Sequence, residues 1–444
     1  MTELPNTPET AQPLGFEVHV DQNEYLPAGG RVMDAVVSVT LSGASLEPPV
    51  EPGAGPRVAQ VIMIDCSGSM AGSKIVQAKL AVAAAVESLR DGVAFAVVEG
   101  TETARMVYPS VREFAVASAA TRRAATEAVR GLRADGGTAI GSWLLLAAEL
   151  FAGAPARIRH GLLLTDGRNE HQTTAQFEDA LHRCEGEFSC DGRGVGTGWE
   201  AEPLDRIADV LLGSAKGLIE PAALAAEFRA VTETLMGKSA ADVSLRLWTP
   251  AHARLRFLKQ VFPRISDLTG RGIEVTPRVR AYPTGNWGAE TRDFHLSIEV
   301  EAGKVGEALV AARVRMAAGG QESAEQRVRV QWTEDPRLST QISPQVAHFT
   351  GQAEMADLLR DGLAAKAAGD LPRATARLGR ARELAEEHGN TEALQHLDQL
   401  VELDRGTVKV RSDMAAVIEE MAKLESKRTI RVKKSTGGED ADLS

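Results

Sequence analysis

Five oxygen-bearing residues fall where chemistry could occur. Asp65, Ser67 and Ser69 share the turn Asp65-Cys66-Ser67-Gly68-Ser69, directly behind the apolar run Val58 to Ile64. Asp166 follows a second apolar run, Gly161 to Leu164, in Thr165-Asp166-Gly167. Thr138 comes after Gly136-Gly137, a glycine pair that leaves its loop free to close over the other two. All five offer hard oxygen, and none offers sulfur or imidazole. A few charges among neutral hydroxyls suit Mg2+, which takes oxygen ligands octahedrally and retains waters; Mn2+ and Ca2+ are alternatives. Five such groups, some acting through water, leave a position open that a carboxylate of another protein could fill.

The same residues weigh against catalysis. An Asp behind a first α/β strand is also the nucleophile of haloacid-dehalogenase-type phosphatases. Those need a second Asp two residues later, and here Ser67 stands in that place. Ser67 and Ser69 have no evident His partner. The sequence has no nucleophile elbow at a strand end and no phosphate-binding Gly-Lys-Ser/Thr loop. The expectation is a chain that is not an enzyme.

These residues need elements to hold them. Val58 to Ile64, Val93 to Val98 and Gly161 to Leu164 are short continuous apolar runs, as strands buried on both faces require. Ile75, Ala78, Val82, Val86 and Leu89 recur at helical spacing. Residues 112–131, 139–151, 174–184, 203–213 and 221–236 also read as helical, with a short strand near 187–190. Strands alternating with helices predict an α/β fold with a parallel sheet. In such a sheet, ligands bind outside the carboxyl ends of the strands, where strand order reverses. Asp65 belongs at that edge, and Asp166 joins it if its strand lies beside the first.

With these contexts, the turn at 65–69, Gly136-Gly137-Thr138 and Leu162 to Gly167 together resemble the von Willebrand factor A (vWA) domain with its metal-ion-dependent adhesion site. The resemblance covers about residues 58–236. It implies Mg2+ or Mn2+ held directly by Ser67, Ser69 and usually Thr138, with Asp65 and Asp166 often acting through water. It also implies a domain that binds protein partners and does not catalyse. More loosely, Asn23 to Arg31, Gly194 to Glu200 and Tyr282 to Gly288 resemble multidomain vWA proteins of high-GC actinobacteria, found beside Ser/Thr kinases, phosphatases and forkhead-associated modules.

Outside this unit the period changes to two. Phe16, Val18 and Val20 alternate with polar residues, and Val32 to Thr40 is β-branched. Alternation returns between Ala241 and Trp332. The early strands are too few to fold alone. They are expected to pair with the later ones, making the α/β unit an insertion in an antiparallel β-sandwich. A C-terminal α-helical bundle follows, with helices near 353–368 and 374–385 and two more carrying Leu394 to Val401 and Met414 to Leu424. The expected divisions are a loose 1–14, sandwich strands in 15–55, the vWA unit at 58–236, the rest of the sandwich at 238–335, helices at 345–428 and a flexible tail at 429–444.

Other residues carry weaker signals. Cys184 and Cys190 lie farther apart than the roughly two to four residues usual in zinc sites. His171 and His182 would complete a set, but one exposed thiol and one buried strand cysteine is the expected state. Cys66 reads as a small core residue. Tyr282 and Trp287 sit in a turn-like segment and could anchor a partner. Thr429 stands among Lys427, Arg428 and Arg431, with Val432 three places on. Basic surroundings suit many Ser/Thr kinases, and forkhead-associated modules often favour such an aliphatic residue. Thr429 is therefore a possible phosphorylation site within a basic tail.

The chain has 444 residues, enough for about three domains. Lys and Arg total 50 against 61 Asp and Glu, which argues against a nucleic-acid binder needing a basic face. No apolar run reaches the roughly 18 residues of a membrane span. The polar first residues do not read as a signal peptide, and three cysteines do not make a disulfide framework. These features predict a cytoplasmic interaction scaffold whose metal site takes an Asp or Glu from a protein partner. The alternatives are a phosphothreonine adaptor recruited by a forkhead-associated module and a cofactor of a MoxR-type ATPase.

Overall fold

A computed structural model describes residues 15–42, 57–404, 407–411 and 416–431. The expected loose 1–14, the Pro-rich stretch from Glu47 to Pro56, Met414 and the expected tail from Val432 onward lie outside the described residues.

The residues between 58 and 236 build a sheet in the order Ala215–Leu218, Ser189–Val195, Ile158–Thr165, Val58–Asp65, Ala94–Gly100, Ala104–Tyr108. The first five are parallel, and Ala104–Tyr108 and Ala115–Val116 pair antiparallel with Ala94–Gly100. Chain order runs outward from Val58–Asp65 to Ala94–Gly100, then returns to the other side as Ile158–Thr165. The strand order therefore reverses between Val58–Asp65 and Ile158–Thr165, which leaves a crevice at their carboxyl ends. Helix Ser73–Ser88 covers one face with Ile75, Ala78, Val82 and Val86. Helices Ile140–Ala152, Thr174–Cys184 and Ala201–Val210 cover the other, burying Trp143, Phe177 and Leu204. Capping boxes start two helices, Ser118 with Thr121 and Thr173 with Gln176.

Three details depart from the expected elements. Residues 112–118 are not helical; that helix is Ala119–Arg130, preceded by the short strand Ala115–Val116. The edge strands Ala104–Tyr108 and Ala215–Leu218 have too little continuous apolar character to stand out. The strand near 187–190 is longer than expected, Ser189–Val195, because its glycines are packing positions. A side chain at Gly194 or Gly217 would strike the Trp199 indole.

The strands before 42 pair with strands beyond 240. Val32–Leu41 lies antiparallel to Glu290–Val300, with Leu41 opposite Glu290 and Val32 opposite Glu299. One sheet runs Phe16–Gln22, Val32–Leu41, Glu290–Val300, Ala253–Phe262, Ser266–Asp267. The facing sheet runs Ile273–Thr276, Val279–Trp287, Ala240–Trp248, Ala308–Ala318, Gln326–Thr333, Tyr25–Pro27. A single core joins both, with Met33, Val37, Leu296 and Ile298 packed together with Leu245, Val314, Val330 and Trp332.

Beyond 340, helices Pro344–Ala367 and Leu371–Glu387 pack closely; a methyl group on Gly362 would lie 2.7 Å from Leu378 Cγ. After Thr391–Leu400 the chain forms an antiparallel hairpin, Val401–Asp404 with Thr407–Val410. Val401, expected on a helix, begins that hairpin, so the region is not purely helical. Helix Ala416–Glu425 inserts Val417 and Leu424 into the core of the parallel sheet.

No helix among the described residues is long and apolar enough to cross a membrane.

Candidate metal centre

Asp65 closes its strand with its side chain at the crevice. Register sets its neighbour: Ile64 lies opposite Leu164, so Asp65 stands beside Thr165. Asp65 is fully buried. Its Oδ1 accepts the Ser67 N–H at 2.8 Å, and its Oδ2 accepts the Thr165 hydroxyl at 2.6 Å. Burial pushes the Asp65 carboxyl above its ordinary range. Hydrogen bonds from Ser67 and Thr165 pull it back in part, while the Asp166 charge pushes it up further.

The other four residues converge on the same rim. Ser67 Oγ and Ser69 Oγ are 3.0 Å apart, and the Ser69 hydroxyl donates to Asp166 Oδ1 at 2.7 Å. The loop bearing Thr138 docks by backbone pairing: Gly68 N–H donates to Gly136 O at 2.9 Å and Asp135 N–H to Cys66 O at 2.7 Å. Thr138, 5% exposed, is held from outside, its N–H donating to His171 Nδ1 at 3.1 Å. Gly137 is where the imidazole lies closest, since a side chain there would strike the His171 ring. The Gly137 N–H also donates to Glu102 Oε2 at 2.6 Å and holds that carboxyl below its usual range.

Gly167 gives the clearest view of the cradle. A methyl group on it would lie 3.3 Å from Ser69 Oγ, 3.3 Å from Thr138 Oγ1 and 3.9 Å from Asp65 Oδ2. Oxygens from two separate loops thus face one point beside a third loop at Gly167, and a side chain at 167 would crowd it. Buried carboxylate, hydroxyls and a shared cradle fit a hard divalent cation.

Sequence reasoning did not find three supporting residues. Thr165 orients Asp65 through a strand register that spacing alone does not reveal. His171 and Lys74 reach the rim from neighbouring elements. Lys74 Nζ contacts Asp166 Oδ2 and donates to Ser69 O at 3.3 Å. Its place five residues after Ser69, on the first turn of a helix, was the available signal.

Several weaker expectations are corrected. Cys184 is buried, as are Cys66 and Cys190, so neither expected zinc-set thiol is exposed. Burial pushes the Cys184 thiol up to about 12 and Cys190 well above its ordinary value. His182 turns to the Glu178 carbonyl and His171 to Thr138, and among the described residues no group of three or more His, Cys, Asp or Glu gathers to hold a metal. Tyr282 and Trp287 are 2% and 0% exposed and cannot anchor a partner. They belong to a strand, and Trp287 meets Phe16 edge to face at 5.4 Å. Thr429, placed by its charges in a basic tail, is 7% exposed. Its N–H donates to Pro263 O at 3.1 Å and its hydroxyl to Val261 O, so a kinase would have to lift the segment first.

Fold and rim together define a Rossmann-like α/β domain with a polar site at its switch point. The family model for the von Willebrand factor type A domain matches residues 59–216. A solved structure described as von Willebrand factor type A from Catenulispora acidiphila is 42% identical, with a TM-score of 0.89 over 96% of this chain and 99% of that one. The ArnB paralog VWA2 from Sulfolobus acidocaldarius shares the fold, with a TM-score of 0.54 and 13% identity over 92% of this chain and 97% of that one. An uncharacterised protein from Synechocystis sp. is 29% identical over 226 residues, 49% of this chain and 52% of its own. The chain thus spans about half the length of the curated relative it matches. The chain belongs to the von Willebrand factor A family. Domains of this family often mediate protein–protein interaction.

Proposed function

We propose that the protein is a non-enzymatic scaffold that binds an acidic side chain of a protein partner through a divalent ion, Mg2+ by preference. Asp65, Ser67, Ser69, Thr138 and Asp166 would hold the ion. The observation that carries this reading is the convergence of Ser69, Thr138 and Asp65 oxygens on the space beside Gly167. When bound, the ion supplies a positive centre with a coordination position left for an outside ligand. The chain's own residues prepare that centre. Thr165 and the Ser67 N–H fix the Asp65 carboxylate, and His171 fixes the Thr138 loop. The serine hydroxyls are engaged with each other and with Asp166, not with an imidazole base, which favours binding over acyl transfer.

On the same reading the sandwich is a frame interrupted by the vWA unit, with divisions at 15–55, 58–236, 238–335 and 345–428. The free, buried thiols accord with a reducing, cytoplasmic setting. The test is affinity capture on immobilised wild type and Asp65→Ala, each in Mg2+ and in EDTA. Proteins retained by the wild type in Mg2+ alone support the reading. The same proteins on both baits, with or without Mg2+, contradict it.

A further inference from the structure

The Asp166 carboxylate already has a cationic partner. Lys74 Nζ contacts its Oδ2, while its Oδ1 takes the Ser69 hydroxyl at 2.7 Å. The Asp166 side chain is fully buried and that of Lys74 is 28% exposed. Lys74 sits in the first turn of helix Ser73–Ser88, and that turn carries no acidic residue. A cation there opposes the helix dipole, so local helix energetics do not explain it. The lysine stem also has its own space. Gly196 has φ +74°, and a methyl group on it would lie 3.2 Å from Lys74 Cε. Two loops and a helix therefore hold an ammonium against one of the carboxylates of the metal centre.

We infer that Lys74 is a built-in counter-cation that weakens the grip on a divalent ion and leaves the loaded centre positive toward an anionic partner group. The inference rests on the metal-binding reading above. Asp65 and Asp166 supply two negative charges and Lys74 one positive. A divalent ion then brings the centre to one net positive charge; without Lys74 it would be neutral. Lys74 thus trades metal affinity for attraction of the partner's carboxylate. Repulsion between an ammonium and a divalent ion that share one carboxylate, even with water-like screening, is on the order of a tenfold change in binding.

The test uses the full chain and Mn2+ as probe, with free Mn2+ counted by electron paramagnetic resonance. Wild type, Lys74→Met and Lys74→Arg are compared, with circular dichroism melting as a check on folding. Lys74→Gln replaces Lys74→Met if that variant does not fold. The expected result is Mn2+ binding about tenfold tighter in Lys74→Met and unchanged in Lys74→Arg. Binding by Lys74→Met where the wild type shows none also supports the inference. Wild type and Lys74→Met binding equally well, or the variant binding more weakly, overturns it and leaves the metal reading standing. Failure of every form to bind Mn2+ overturns both.

Discussion

The Thr165 hydroxyl donates to Asp65 Oδ2 at 2.6 Å, joining two residues a hundred positions apart at the ends of neighbouring parallel strands. Asp65 is buried with no cation of its own in contact, and this bond is one of the two that orient its carboxylate. The rim thus depends on sheet register as much as on its five oxygen donors.

Thr165→Val keeps the shape and removes the donor. The buried carboxylate then lacks a partner, and stability should fall by about 1–3 kcal/mol. Divalent-ion affinity should fall by about 10- to 100-fold, as with other groups that orient ligands. Chemical denaturation and a metal titration read the two effects separately.

Gly167→Ala separates the cradle from the fold. The new methyl group would stand 3.3 Å from Ser69 Oγ and Thr138 Oγ1, inside the space assigned to the ion. Metal binding should be lost while the apo protein melts within a few degrees of wild type. Tight Mg2+ binding by this variant in calorimetry would move the ion elsewhere.

Asp191, toward the opposite end of the same sheet, adds an acid-sensitive contribution. Burial alone would raise its carboxyl. The hydrogen bond from His160 Nε2–H at 2.9 Å, the His160 and Arg193 charges and the Ser214 hydrogen bond together outweigh that and hold the group well below 3.8. A lowered folded-state pKa stabilises the protein fully above the unfolded value and loses that contribution as pH falls toward the folded one. Stability should therefore drop as pH falls below about 3.8. Asp191→Asn should be less stable at pH 7 by about 1–3 kcal/mol and flatter below pH 4. Urea midpoints at pH 7 and pH 3 test both.

The segment after helix Ala416–Glu425 is a strap across all three parts of the protein. Lys427 pairs with Asp209 at 2.8 Å, the Ile430 N–H donates to Gln352 Oε1 at 2.9 Å, and Arg431 pairs with Asp293 at 2.7 Å. Thr429→Glu would force a charge into a buried position and should release the strap, seen as faster proteolysis near 426–431. A kinase should modify Thr429 far more slowly in the intact protein than in a peptide of the same sequence.

The sequence made some of these features readable and hid others. Asp65, Ser67 and Ser69 were readable because they share one turn behind an apolar strand, so no tertiary information is needed to group them. Thr138 and Asp166 required strand contexts, which continuous apolar runs supply. Thr165, Lys74 and His171 were hidden because their roles depend on register and on which loop approaches which. The hairpin Val401–Asp404 with Thr407–Val410 was legible, since Val401 and Leu403, then Val408 and Val410, alternate at period two; Val401 alone also continues the helical spacing of Leu394 and Leu397, and that spacing masked the change. Trp287 was misread because a Pro- and Gly-containing stretch suggests a turn, whereas the pleat turns the indole inward. Thr429 was misread because basic composition describes charge, not contacts; its neighbours Lys427 and Arg431 are paired with buried or half-buried carboxylates.

Calorimetric titration of Mg2+ into the intact wild type and Asp65→Ala bears most directly on the metal centre. One ion per wild-type chain is expected, with that binding abolished in a variant that still folds. Equal binding by both, or none by the wild type, would contradict a divalent ion gripped at this rim.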